Sequence, residues 1–224
     1  MRITILAATG GIGSHLLDQA LAAGHEVTAV VRSPQKLPAT RARVVAADLA
    51  DPDPAALRTA VEGADAVLSG LGPRSKSDAE AGVVRRGTSA AIAAMREAGV
   101  RRLVVVSAAP VGTVPSPARP NPPRHDPGDG FLLRTVAYPV LKAALRPNYA
   151  DLARMEDALR DSGLDWTAVR PVRLTDQPLT GHYRTAQGRN LRHGLLISRA
   201  DVAHCMLAAL DRPDSIGRTI GIAR

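Results

Sequence analysis

Aromatic side chains are scarce: one Trp, one Phe and three Tyr in 224 residues. The core must therefore be aliphatic, and a nucleic-acid surface of basic residues interleaved with aromatics is not available. Cysteine occurs once, at Cys205. That excludes an internal disulfide framework and fits a reducing cytoplasm. No apolar run is long enough to span a bilayer, and no signal-peptide pattern precedes the first strand, so neither a membrane nor export is expected. The six histidines have no zinc-ligand spacing, and no metal is expected. Acidic residues are outnumbered, 21 against 29 Lys and Arg, for a formal charge of +8. The basic residues are scattered, with no helix-turn-helix pattern, so nucleic acid is not the expected partner. An anionic cofactor and a small-molecule substrate account for part of the excess.

What is present concentrates at the start. Arg2 to Ala8 reads as a buried parallel strand, and Thr9-Gly10-Gly11-Ile12-Gly13 as a tight turn. Ser14 to Ala23 reads as a helix with Leu16, Leu17, Ala20 and Leu21 on one face. Gly24 ends it, and Glu26 to Val31 is a second strand. A glycine turn between a strand and a helix lets backbone approach a pyrophosphate. The helix start then offers free N–H groups and the positive end of its dipole. The second strand ends in Arg32, with Lys36 one turn on, where an NAD site carries Asp or Glu for the ribose 2′-hydroxyl. Cations here suit a 2′-phosphate, so NADP(H) is the expected cofactor.

Ala7-Ala8-Thr9-Gly10-Gly11-Ile12-Gly13 resembles the glycine motif of atypical short-chain dehydrogenase/reductases, the NAD(P)H-binding NmrA-like family, with Ala7 in place of the first glycine. The resemblance implies a Rossmann-like, doubly wound α/β fold with a mostly parallel sheet and a small C-terminal substrate lobe. One domain is expected over residues 1–224, with a variable insertion at 110–147, as a monomer or homodimer.

Down the chain, Arg43 to Ala47 reads as a third strand, followed by Asp48-Leu49, which in the resembled family contacts the adenine. The other reading of Asp48 is a turn or cap. Asp65 to Ser69 is a fourth strand, and its loop brings Leu71, Gly72 and Arg74 to the ligand crevice. Ser75 to Glu80 reads as a polar mobile stretch, and Ala81 to Ala98 as a long helix. Arg102 to Ser107 is a strand apolar enough to be buried on both faces. Ser107 at its end is a catalytic and cofactor candidate, to bond the nicotinamide amide or a substrate oxygen, or else to satisfy local backbone.

Pro110 to Gly130 has no period and is expected to be a substrate lid. Phe131 to Arg146 reads as an apolar helix broken at Pro139: packed on the body, a dimer contact or a pocket wall. Tyr149 opens a further helix. In many short-chain reductases a Lys one turn after the catalytic Tyr lowers its pKa, but here that residue is Ala153. Tyr149 is thus a weakened catalytic candidate, with packing as the alternative.

Asp165 to Arg170 is the sixth strand. Pro171 and Asp176-Gln177-Pro178-Leu179-Thr180-Gly181 are similar to the flavin/biliverdin-IXβ-reductase branch of the family. That similarity implies that Pro171 and Arg173 lie by the cofactor, but Ala108 and Arg173 replace that branch's Ser and His. Arg173 either grips a substrate carboxylate or cofactor phosphate, or bridges Asp176. Tyr183 to Ala186 and Gly194 to Ile197 read as a hairpin. Ser198 and Asp201 have the spacing of a helix cap. His204 and Cys205 read as packing. The sequence-level expectation is an NADPH-dependent reductase of a planar conjugated acceptor such as a flavin, quinone or tetrapyrrole. The alternatives are an NADP(H)-sensing regulator and a ketoreductase or epimerase.

Overall fold

The computed structural model describes residues 1–131 and 133–224. Leu132, inside the helix expected over 131–146, lies outside the described residues. The main sheet holds eight strands: β1 (Arg2–Leu6), β2 (Glu26–Val31), β3 (Arg43–Ala46), β4 (Ala66–Ser69), β5 (Arg102–Val106), β6 (Asp165–Pro171), β8 (Arg184–Gln187) and β10 (Arg218–Ala223). Their order is β3-β2-β1-β4-β5-β6-β10-β8. Every pairing is parallel except β10 with the edge strand β8. Strand order reverses direction at β1, which has β2 on one side and β4 on the other. In such sheets a crevice opens there, at the carboxyl ends of the strands.

Both faces of this sheet are covered. Helices α1 (Gly13–Ala22) and α7 (Arg199–Ala208) lie on one side; α2 (Pro54–Val61), α4 (Val83–Glu97) and α6 (Arg146–Arg160) lie on the other. Strand β5 shows why its sequence is apolar throughout. Leu103 and Val105 pack toward α4 and α6, whereas Val104 and Val106 pack toward α1 and α7. Fully buried Leu16, Leu57, Met95 and Met155 fill the layers, each such side chain contributing about 1.5–3 kcal/mol. Asp53 caps α2 by accepting from Ala55 N. The start of α4 is held from α6, where Asp151 accepts from Val84 N at 2.9 Å and Arg85 N at 3.1 Å.

Four expectations change. Ser75–Glu80 is not structureless: Ser75 accepts from Asp78 N and opens a short helix, α3 (Lys76–Glu80), which Gly82 separates from α4. Pro139 does not break a helix. It sits in the first turn of α5 (Tyr138–Ala144), and a π-helical turn, Leu133–Ala137, runs directly into it, so the helix changes type beside Pro139 rather than stopping there. Helix α6 begins at Arg146, ahead of Tyr149. The expected hairpin does not form. Strand β8 joins β10 antiparallel, while β9 (Leu196–Ser198) pairs in parallel with β7 (Arg173–Thr175) in a separate two-stranded sheet. Asn190 is the reason: it turns inward after Gly188, buried, with its N–H on Asp126 at 2.8 Å and its side chain on Asp129 and the Ala109 carbonyl.

That same network fixes the proline-rich stretch. Ser116 Oγ donates to Asp157 Oδ1, Ala118 N to Asp157 Oδ2, and Gly128 N to Asp126 Oδ1. The segment after it, by contrast, leaves Phe131, Val136, Val140, Leu141 and Leu145 exposed and buries Tyr138. Among the described residues no helix is long and apolar enough to cross a membrane, and no group of three or more His, Cys, Asp or Glu is arranged to hold a metal.

Candidate functional site

A groove runs along the carboxyl ends of β1, β4 and β5. Its floor is the turn after β1. Ala7 there takes a left-handed backbone, φ 55, and its carbonyl accepts from Gly10 N at 2.8 Å. Ser14 N closes back on the Gly10 carbonyl to start α1. No side chain caps α1 and its first turn has no acid, so its positive end opens among Gly10, Gly11 and Ile12 on the groove wall. Gly13 and Gly70 let the pieces meet. A methyl group on Gly13 would stand 2.0 Å from the Ala7 carbonyl oxygen, and one on Gly70 2.8 Å from Gly13 N.

The groove has two compartments. The larger, about 360 Å³, is lined by the glycine turn, the loop Gly70–Arg74, Val106 of β5 and Ser107 just after it, Asn148, Tyr149 and Leu152 of α6, and by Leu145, Leu174 and Arg199. The smaller, about 50 Å³, is lined by Thr9, Arg32, Asp48, Leu49, Leu71, Gly72, Arg74 and Asp78. The two share Ala7, Leu71, Gly72 and Arg74, so they are continuous.

Most sequence-picked residues line these compartments: Thr9, Gly10, Gly11, Ile12, Arg32, Asp48, Leu49, Leu71, Gly72, Arg74, Ser107 and Tyr149. Gly13 lies directly beneath. Asp48 is fixed by accepting from Ala50 N at 2.9 Å, and Arg74 N donates to Asp78 at 3.2 Å. Lys36 ends an exposed 3-10 turn, Pro34–Lys36, and does not line the groove. Pro171 is buried at the end of β6, in register with Ile222, away from the lining. Arg173 is exposed on β7 and does not line the groove either. Asp176, the partner considered for it, bridges Arg199 at 2.5 Å instead. None of residues 110–130 lines the groove; Leu145 and α6 form that wall.

Ser107 is tied from behind. Its Oγ donates to Glu156 Oε1 at 2.8 Å, and its N–H to the Val169 carbonyl at 2.7 Å. Glu156 is fully buried, gripped by Arg170 through Nε and Nη2 at 2.8 and 2.5 Å, and by Arg160 at 2.9 Å. Burial, the largest influence, pushes its carboxyl up, but Arg170, Ser107 and Arg160 together reverse this and leave it lowered. Tyr149 is half-buried, and burial pushes its phenol up, the opposite of a tuned acid.

Arg199 is the main residue that sequence reading missed. Its side chain lies over the glycine turn: a methyl group on Gly11 would stand 2.9 Å from Arg199 Cδ and Nε. Ser198 caps α7 by accepting from Asp201 N, and Arg199 is the next residue. Asp201 also accepts from Thr180 N, Gly181 N and Thr180 Oγ1, all at 2.9 Å, which ties residues 176–181 to the helix. Bare turn, open helix end, Arg199 above the turn and Arg32 at the other end together fit a phosphorylated dinucleotide.

Residues 7–213 match the family model described as NAD(P)H-binding. The chain is 28% identical over 228 residues to the uncharacterized sugar epimerase YhfK of Bacillus subtilis, covering 99% of this chain and 94% of that one. Among solved structures, an anaerobillin reductase, ChuY, from Escherichia coli O157:H7 superposes with a TM-score of 0.74 at 22% identity, over 100% of this chain and 97% of that one. A short-chain dehydrogenase/reductase from Veillonella parvula in complex with NADP superposes with a TM-score of 0.75 at 20% identity, over 100% and 94%.

Proposed function

Because the chain belongs to the NAD(P)H-binding family, we propose that it is an NADPH-dependent reductase of planar conjugated acceptors, of flavin, quinone or tetrapyrrole type. When bound, the cofactor supplies the hydride. The observation that carries the acceptor class is the makeup of the groove beyond the glycine turn. Val106, Leu145, Leu152 and Leu174 make it apolar. Its two hydroxyl groups are poor acids: Tyr149 is raised by burial and Ser107 already donates to Glu156. An aliphatic ketone needs a proton delivered as hydride arrives. A conjugated acceptor spreads the incoming charge over its own π-system and takes its proton from water.

The remaining roles follow from placement. Gly10, Gly11 and Ile12 with the α1 dipole bind the pyrophosphate, and Arg199 adds a cation above it. Arg32 and Arg74 favour a 2′-phosphate over a bare ribose hydroxyl. Leu71 and Leu49 flank the adenine. Ser107, oriented by Glu156, accepts a hydrogen bond from the carboxamide N–H.

The test is NADPH consumption, followed by its absorbance, with FMN, a quinone and biliverdin offered in turn and an aliphatic ketone as control. Saturable turnover with a planar acceptor and none with the ketone is the expected result. Turnover of the ketone, or of a nucleotide sugar without net NADPH consumption, would favour the ketoreductase or epimerase reading.

A further inference from the structure

The segment that holds α5 stands out from the body of the protein. Between Leu133 and Arg146 only Tyr138 is buried; Leu133, Ala137 and Lys142 are half-buried, and every other residue is exposed. The buried Tyr138 ring ties it down, together with Lys142 Nζ, which donates to Thr113 Oγ1 at 2.9 Å. The exposed side chains are not those of a helix meant for water. Phe131, Val140 and Val136 are 74%, 64% and 54% exposed, and Pro139, Leu141 and Leu145 are exposed with them. A helix that is apolar around most of its circumference is ordinarily covered, and an exposed apolar patch of this kind marks a contact surface.

The charges on the segment indicate what covers it. No acid occurs from Gly130 to Ala150, whereas Arg134, Lys142 and Arg146 all fall there. Lys142 is turned to the body, near Asp129 as well as Thr113. Arg134 and Arg146 are exposed and have no carboxylate partner among the described residues. A second copy docked here about a two-fold axis would present the same acid-free face. Both guanidinium groups would then be buried against aliphatic side chains or against their own like, which is costly. A bilayer with anionic headgroups answers both features at once. Acyl chains take the apolar side chains, and phosphate oxygens take the guanidinium groups. The formal charge of +8 draws the whole protein to such a surface. A helix lying in the interface needs no spanning run, so the absence of a spanning helix among the described residues does not oppose this.

We propose that residues 131–146 form a membrane-docking face that takes the surface of a bilayer containing anionic phospholipid, with the apolar side chains of α5 among the acyl chains and Arg134 and Arg146 on headgroup phosphates. Leu145 belongs both to this face and to the groove wall, so docking sets the groove mouth at the lipid surface. The proposal does not rest on the reductase reading.

The test is sedimentation of the intact protein with phosphatidylcholine vesicles, with and without phosphatidylglycerol, in wild type and in the double variant Val140→Gln/Leu141→Gln. Both residues are exposed and neither lines the groove. The double variant keeps the net charge, so attraction by charge alone survives in it. The expected result is that wild type sediments with the phosphatidylglycerol vesicles and not with the neutral ones, and that the double variant needs at least tenfold more lipid. No sedimentation with phosphatidylglycerol, equal sedimentation with neutral vesicles, or a double variant that binds like wild type would overturn the proposal. So would a lipid-free dimer, seen by light scattering, that the double variant returns to monomer, because a second copy would then cover this face.

Discussion

Ala7 occupies a backbone conformation, φ 55, that a Cβ disfavours. Residues with side chains lose roughly 1–2 kcal/mol in this region, and glycine does not. Ala7→Gly is therefore expected to raise stability by about 1 kcal/mol, seen as a higher urea midpoint at unchanged m-value. A lower midpoint would mean that the methyl packs better than the backbone suffers. The departure from the family's glycine motif was legible in the sequence; the strain it causes needed the angle. Tyr149 tells the opposite story. Its lack of a lysine one turn on was legible, and burial then pushes the phenol up rather than down. Tyr149→Phe should lower kcat with a planar acceptor by less than about tenfold, whereas losing a working general acid costs on the order of 100-fold or more. Arg199 was not legible at all. Its neighbour Gly11 is 188 positions away, and nothing in its own sequence context except the cap at Ser198 places it over the turn.

At the level of elements, α6 does the most to shape the groove. Its outer end presents Asn148, Tyr149 and Leu152, and one turn further Glu156 anchors both Ser107, just after β5, and Arg170 on β6. Removing that carboxylate strands a buried guanidinium, which costs about 3–5 kcal/mol. Glu156→Gln should therefore unfold at markedly lower denaturant. A carboxyl held low in the folded state stabilises above its unfolded pKa, and that stability is lost as pH falls through the folded value. Wild type should thus lose stability on acidification below the ordinary carboxylate range, and Glu156→Gln should show a shallower loss over the same window. An identical acid profile in both would remove Glu156 from the account. The helix period of α6 was readable, but its two roles were not, because they depend on which strand lies behind it. The misread hairpin has the same cause. Local turn chemistry at Gln187–Asn190 favours a reversal, and buried Asn190 with Asp126 outweighs it through contacts 64 residues apart in sequence.

For the whole molecule, the alternation of strands, glycine turns and helices together with the resemblance of the glycine motif pointed to a doubly wound, mostly parallel sheet, and the eight-strand order bears this out. The charge excess has a structural explanation as well. Arg96 donates to the Asp161 and Ser162 carbonyls, Arg101 to Gly163, and Arg102 to Asp165 and Ala209. These arginines close the ends of helices and strands, a use that composition alone does not distinguish from a binding surface. The proline-rich stretch read as a lid is instead tied to α6 and Asn190, so truncating its ties should disturb folding before it disturbs catalysis.

The central claim is that the groove holds a dinucleotide with its 2′-phosphate at Arg32. The most direct measurement is the affinity of wild type and Arg32→Ala for NADPH and NADH, side by side at one salt concentration. Arg32 lines the small compartment and follows β2 directly, without a carboxylate partner among the described residues. Its loss should weaken NADPH by roughly 1.5 kcal/mol or more, about tenfold, and leave NADH nearly unchanged. Equal losses for both nucleotides, or wild-type binding of neither, would contradict the account.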